Sequence, residues 1–127
     1  MRYRNIDFMG YSRSDGRIGT RNYVGIITTV VCAIEVAEAI SRKVRETTFF
    51  IHQQVWCQTP VDINRVQDTL INLGKNPNLA SVLLVSLGCE STVVEEVAKA
   101  IGEVGSVLKP SSFKRFGELL GPLLRER

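Results

Sequence analysis

Residues 10–33 read GYSRSDGRIGTRNYVGIITTVVCA, and the fold is decided here. The first half is a polar loop with three glycines (Gly10, Gly16, Gly19) and three arginines (Arg13, Arg17, Arg21). Ser14-Asp15-Gly16 and Gly19-Thr20 are turn chemistry, so residues 10–22 read as a loop that needs permissive backbone angles. The second half, residues 23–31, is a continuous apolar, β-branched run, as a parallel strand covered on both faces should be. It ends at Cys32, where a helical pattern begins.

Outward from that stretch, strand and helix alternate. Ile34, Val36, Ala37, Ala39, Ile40 and Val44 fall at helical spacing and predict an amphipathic helix from Ala33 to about Arg45. Residues 47–51, TTFFI, predict a second strand. Thr59 and Pro60 cap and open a second helix, with Val61, Val66, Leu70 and Leu73 as its buried stripe and Gly74 with the following KNPN as its stop. Residues 79–87 predict a third strand running into Gly88-Cys89-Glu90. Ser91 or Thr92 can cap a third helix with Val93, Val94, Val97, Ala98 and Ile101 inward. Residues 105–108 suggest a short fourth strand, and Pro110-Ser111-Ser112 the cap of a last helix. Residues 1–9 are read as an irregular arm or a short edge strand. This order predicts an α/β fold, a three-layer, Rossmann-like domain with a parallel sheet of three to four strands. The expected organisation is one domain, 1–127: a Gly/Arg loop (10–22), a βαβαβα core (23–110) and a C-terminal helix (111–127).

Length and composition agree with one globular unit. A chain of 127 residues buries roughly two-thirds of the surface it exposes when unfolded. Apolar residues make up 44% and charged residues 23%, which excludes a disordered chain. The net charge of +3 is scattered except around Arg13–Arg21, which argues against a nucleic-acid partner. No apolar run approaches a membrane span, and Arg2, Arg4 and Asp7 interrupt any signal peptide, so the expected location is the cytoplasm. Three cysteines without a secretory signal point to free thiols or ligands.

Cys32, Cys57 and Cys89 each fall at or just beyond the end of a predicted strand, the edge where ligands bind in parallel sheets. Each is readable as a small buried hydrophobe. Together they also make a candidate metal site with an open coordination position. His52, the only histidine, suits a ligand or general base, or equally a hydrogen-bonded loop residue. Glu90 is a candidate catalytic carboxylate, although the head of a helix favours an acid in any case. Arg13, Arg17, Arg21 and Asn22 can grip a substrate carboxylate, or form a solvated loop whose arginines pair with Asp15. The loop enters the first strand at its amino end, opposite the cysteines, so it must fold over the sheet to join them or serve another domain.

On these residues the chain resembles the large region of the altronate dehydratase and galactarate dehydratase family. That family reads G-Y-x-R-x-D-G-R-x-G-T-R-N-Y followed by an apolar strand and a T-V-x-C element. Asn76-Pro77-Asn78 and Ser86-Leu87-Gly88-Cys89-Glu90 are similar to a later block, N-P-N, strand, G-L-G-C-E. His52 to Gln58 follow a His-Gly-x-Gly-Cys-Gly loop only loosely, because the glycines are gone and Trp56 precedes Cys57. Val31 stands where the family usually has Asn, and the family's large regions run to several hundred residues.

The resemblance implies dehydration of an aldonate or aldarate to a 2-keto-3-deoxy acid with a divalent metal, Fe2+ or Mn2+. Cys32, Cys57 and Cys89 would hold that metal against the C3 hydroxyl. His52 or Glu90 would act on the C2 proton, and an arginine of the 10–22 loop would hold the carboxylate. The partners expected are a small sugar acid and either further copies of the chain or a second dehydratase subunit. Little turnover is expected from the chain alone. Other readings are a sulfolactate sulfo-lyase-like subunit, a non-catalytic descendant that binds an anionic ligand, and a structural assembly subunit.

Overall fold

The computed structural model describes residues 7–53 and 58–104, together with the backbone of the strand Ser106–Ser112. Residues 10–22 hold more structure than the expected loop. Two short strands, β1 (Tyr11–Ser12) and β2 (Ile18–Gly19), pair antiparallel, and Gly16 turns between them at φ +82. Then follow β3 (Tyr23–Thr28), a 3-10 turn (Val31–Ala33), α1 (Ile34–Lys43) and β4 (Thr47–Phe50). The remainder is α2 (Pro60–Gly74), β5 (Leu79–Ser86), α3 (Val94–Gly102) and β6 (Ser106–Ser112). Among the described residues no helix is long and apolar enough to cross a membrane.

The four longer strands form one sheet in the order β4-β3-β5-β6, and every pairing is parallel. The first three strands of the expected core are therefore neighbours, with β3 between the other two. Period-two alternation sends successive residues to opposite faces. Ile26, flanked in register by Phe49 and Leu83, faces a cluster with Val30, Ala33, Ala37 and Val85 beneath α1. Ile27, flanked by Phe50 and Leu84, faces Leu70, Val97 and Ile101 beneath α2 and α3. Helices thus cover both faces, which explains the unbroken apolar run in the sequence. Full burial of each such isoleucine contributes about 1.5–3 kcal/mol.

Several boundaries differ from the sequence reading. Strand β3 stops at Thr28, because Thr29 bends away and Val31–Ala33 tighten into the 3-10 turn. Thr59 caps α2 as expected, accepting from the Asp62 amide, but Val61 is 60% exposed and outside the buried stripe. Likewise Val93 precedes α3 as its cap residue and is exposed, and neither Ser91 nor Thr92 caps that helix through its side chain. Pro110, Ser111 and Ser112 continue β6 instead of capping a helix. An edge strand tolerates the missing proline N–H, and the β5–β6 register shifts beside it, between Leu83 and Val85. The C-terminal helix expected beyond residue 112 lies outside the described residues.

The β1–β2 hairpin is fastened to the turn before β5. Arg13 Nε donates to the Pro77 carbonyl at 2.7 Å, and its other two nitrogens donate to Asn22 Oδ1 (2.9 Å) and the Arg21 carbonyl (3.0 Å). Asn78 Oδ1 accepts the amides of Thr20 (2.9 Å) and Arg21 (3.1 Å), while the Asn78 amide donates to Asn76 Oδ1 (2.9 Å). Ser14 Oγ adds a contact to the Val104 carbonyl at 3.0 Å. The Gly/Arg motif and Asn76-Pro77-Asn78 therefore form one structural unit at the amino end of the sheet.

Candidate functional site

At the other end of the sheet the chain leaves β3 toward α1 on one face and leaves β5 toward α3 on the opposite face. The loops after these adjacent strands start in opposite directions, which makes the carboxyl end of the sheet between them a topological switch point, the usual place of the ligand crevice in such sheets. Cys32 lies in the first loop and Cys89 in the second, and both are exposed. The buried-hydrophobe reading therefore fails for these two thiols. Cys57 lies outside the described residues.

Glu90 bridges the two loops. Its Oε1 accepts the Thr29 hydroxyl at 2.8 Å, and its Oε2 accepts the amides of Gly88 (2.8 Å) and Cys89 (2.9 Å). Gly88 sits at φ +82, a left-handed angle that glycine adopts without strain and that turns this loop back on the carboxylate. Partial burial pushes the Glu90 carboxyl up, but hydrogen bonds from its own amide, the Thr29 and Ser86 side chains and the Gly88 amide outweigh burial. They hold it below the usual carboxylate range.

His52 follows β4, on the other side of β3. Its Nε2 donates to the Thr28 carbonyl at 2.9 Å, so in the neutral ring Nδ1 carries the lone pair. Thr29 is 3% exposed and anchored by its own amide to the Val85 carbonyl at 3.0 Å. Both residues singled out for proton chemistry thus converge on Thr28-Thr29, which sequence reading passed over. The available signal was two hydroxyl residues closing an otherwise apolar strand.

A recess of about 590 Å³ opens beside His52, against the first turns of α2. Thr59, Asp62, Arg65 and Thr69 supply its polar lining and Leu70 part of its floor. Arg65 is exposed and lies 3.6 Å from Asp62, a contact loose enough for the guanidinium to turn to a ligand. Arg65 is the arginine at this end that sequence reading missed, since it looks like any solvent-facing helix residue.

The arginines that were singled out are elsewhere. Arg13 and Asn22 are tied into the hairpin, Arg17 pairs with Asp15 at 2.6 Å, and Arg21 donates to the Thr20 carbonyl at 3.1 Å. The six residues of β3 set this loop about 20 Å from the crevice. One chain does not bring it together with Cys32, Cys89, His52 and Glu90, because it enters the sheet at the opposite end. The pairing of Arg17 with Asp15 is the solvated-loop alternative realised.

Two exposed thiols have suitable donor chemistry, yet among the described residues no three of His, Cys, Asp and Glu are grouped to hold an ion. Cys57, the third ligand expected, lies outside the described residues.

Fold and crevice together define a doubly wound parallel α/β domain with polar groups gathered at its switch point. Sequence comparison gives the family. Residues 10–116 match the family model described as D-galactarate dehydratase/Altronate hydrolase, second domain, and the chain belongs to that family. It is 32% identical to altronate dehydratase of Bacillus subtilis over 110 residues, 79% of this chain and 22% of that protein. It is 31% identical to the (2R)-sulfolactate sulfo-lyase subunit beta of Chromohalobacter salexigens over 87 residues, 68% of this chain and 22% of that one. Altronate dehydratase of Escherichia coli is 30% identical over 104 residues, 74% of this chain and 21% of the enzyme. The chain spans about a fifth of the length of these curated relatives. No solved structure matches it.

Proposed function

We propose that the chain contributes to a lyase acting on 2-hydroxycarboxylates that carry a leaving group on C3. Altronate and sulfolactate, the compounds in its relatives' names, share this pattern, with hydroxide leaving from one and sulfite from the other. The observation that carries the proposal is the recess at the carboxyl end of the sheet, which joins one histidine and one arginine in a chain of this family.

In this reading Arg65 takes the substrate carboxylate, because a guanidinium offers a paired donor edge that a carboxylate matches. Holding the carboxylate there lowers the cost of charge building on C2. His52 serves as the base for the C2 proton, and its Nε2–H bond to the Thr28 carbonyl keeps the ring oriented. The electron pair of the C2–H bond becomes the C2–C3 double bond as the C3–O bond breaks, with its pair leaving on oxygen. The enol then tautomerises to the 2-keto-3-deoxy acid. Thr59 and Thr69 supply hydroxyls to the polyol chain.

A metal at Cys32, Cys57 and Cys89 belongs to this reading through family membership and not through geometry. Such an ion would supply Lewis-acid help to the departing hydroxide. We also propose a cytoplasmic location and association with copies of the chain or with a second dehydratase subunit.

Titration of the chain with altronate, galactarate and sulfolactate tests the proposal, with 2-keto acid formation followed in parallel with ferrous or manganous ion present. Binding selective for acids bearing a 2-hydroxyl, and lost in Arg65→Ala, is the expected result, with little turnover. A chain that binds none of the three and forms no keto acid would overturn it.

A further inference from the structure

We propose that Glu90 is a positioning residue, whose carboxylate fastens the loops after β3 and β5 into one lip carrying Cys32 and Cys89. Its bearing on turnover rests on the lyase reading above, but the mechanical coupling does not.

One oxygen of the carboxylate is aimed at a hydroxyl 61 positions earlier in the chain, and the other at two amides of its own loop. A general base needs an oxygen directed at the substrate proton, and every donor added to a carboxylate lowers its proton affinity. Glu90 is arranged for holding. It also lies between two segments of unequal firmness. Thr29 is buried and bonded to β5, whereas Gly88 and Cys89 are exposed and their amides, among the described residues, donate to Glu90. The carboxylate therefore extends the rigidity of the β3–β5 pairing outward to an exposed cysteine loop. Thr28, the residue next to its anchor, carries the carbonyl that orients His52. Removing the carboxylate leaves two amides facing nothing and frees the loop from the strand.

Amide hydrogen exchange on the full chain tests this without any substrate. Glu90→Ala should speed exchange in the segments 86–92 and 29–33 together, by about tenfold or more, while α2 is unchanged. Glu90→Gln keeps an oxygen that accepts the same two amides and should stay close to the parent. Thr29→Val removes the bridging hydroxyl and should free segment 86–92 without touching residue 90; it also serves if the alanine variant does not fold. Exchange that rises only around residue 90, or a glutamine variant as loose as the alanine one, overturns the proposal. A lyase assay supplies the second arm. Glu90→Ala should lower kcat and leave the shape of the pH profile intact, and Glu90→Gln should recover most of the loss. A glutamine variant with parental exchange and no turnover would make Glu90 a proton carrier and overturn the proposal. If no variant or parent turns over, the lyase reading falls and the exchange result still decides the coupling.

Discussion

Arg13 and Pro77 stand 64 positions apart, yet the guanidinium of one donates to the carbonyl of the other at 2.7 Å. Since the same guanidinium also holds Asn22 and the Arg21 carbonyl, Arg13 is the bolt between hairpin and sheet. Arg13→Ala should lower stability by about 2–3 kcal/mol, and Arg13→Lys should recover little of it, because an ammonium cannot fork to three acceptors. Urea unfolding checks this through a lower midpoint at unchanged slope. A variant of unaltered stability that binds carboxylates more weakly would return Arg13 to the ligand site.

Two glycines of the hairpin should respond differently to alanine. A methyl group at Gly19 would land on the Pro77 carbonyl, which is backbone and cannot swing aside. Gly19→Ala should therefore cost about 1–3 kcal/mol through forced movement of the joint. Gly16 has open space around it, and its cost is set by φ +82 alone. Gly16→Ala should cost about 1 kcal/mol. Thermal melts of both variants make the comparison, and equal losses would count against the close approach at Gly19.

Acid titration should expose Glu90. Its carboxyl is held below the ordinary glutamate value of 4.5, by hydrogen bonds that overcome the opposing effect of burial. A folded-state value below the unfolded one means that the group's stabilising contribution is complete above the unfolded value. It is lost as pH falls through the folded one. The parent should therefore lose stability more steeply below pH 4.5 than Glu90→Gln, with their difference constant above that point. Superimposable acid limbs would show that the carboxylate is not held in this way.

The hairpin also presents apolar surface. Phe8 is 63% exposed, Met9 94% and Ile18 58%, with Phe8 and Ile18 both packed over Gly10. Such a patch favours association, so light scattering at micromolar concentration should find a species larger than the monomer. Met9→Lys combined with Ile18→Lys should shift it toward the monomer. A monodisperse monomer for the parent would remove the patch from consideration.

The parallel sheet was legible because Ile26, Ile27 and residues 79–86 are apolar on both faces, a pattern that only a strand between two helical layers shows. The cap at Thr59-Pro60 was legible because it is local. What escaped detection depends on contacts distant in sequence. Nothing adjacent to Thr29 announces that its hydroxyl meets Glu90, and Asn78 looks like a turn residue until its side chain is seen holding Thr20 and Arg21. The arginine cluster is a similar case: its charges suggest an anion site, and the structure adds that Arg13 is bonded to the Pro77 and Arg21 carbonyls and Arg17 to Asp15.

The central place of β3 has a kinetic side. Its partnership with β4 closes 22 positions, from Thr28 to Phe50, whereas that with β5 closes 56, from Thr29 to Val85. The shorter closure loses less chain entropy, so the β3-α1-β4 unit should assemble before β5 docks. The Arg13–Pro77 bolt closes onto the turn leading into β5, so it should form no earlier than β5 docks. A contact made that late leaves the refolding rate nearly untouched and governs how fast the native state comes apart. The hairpin motif should therefore act on the lifetime of the folded domain, not on the speed at which it is reached.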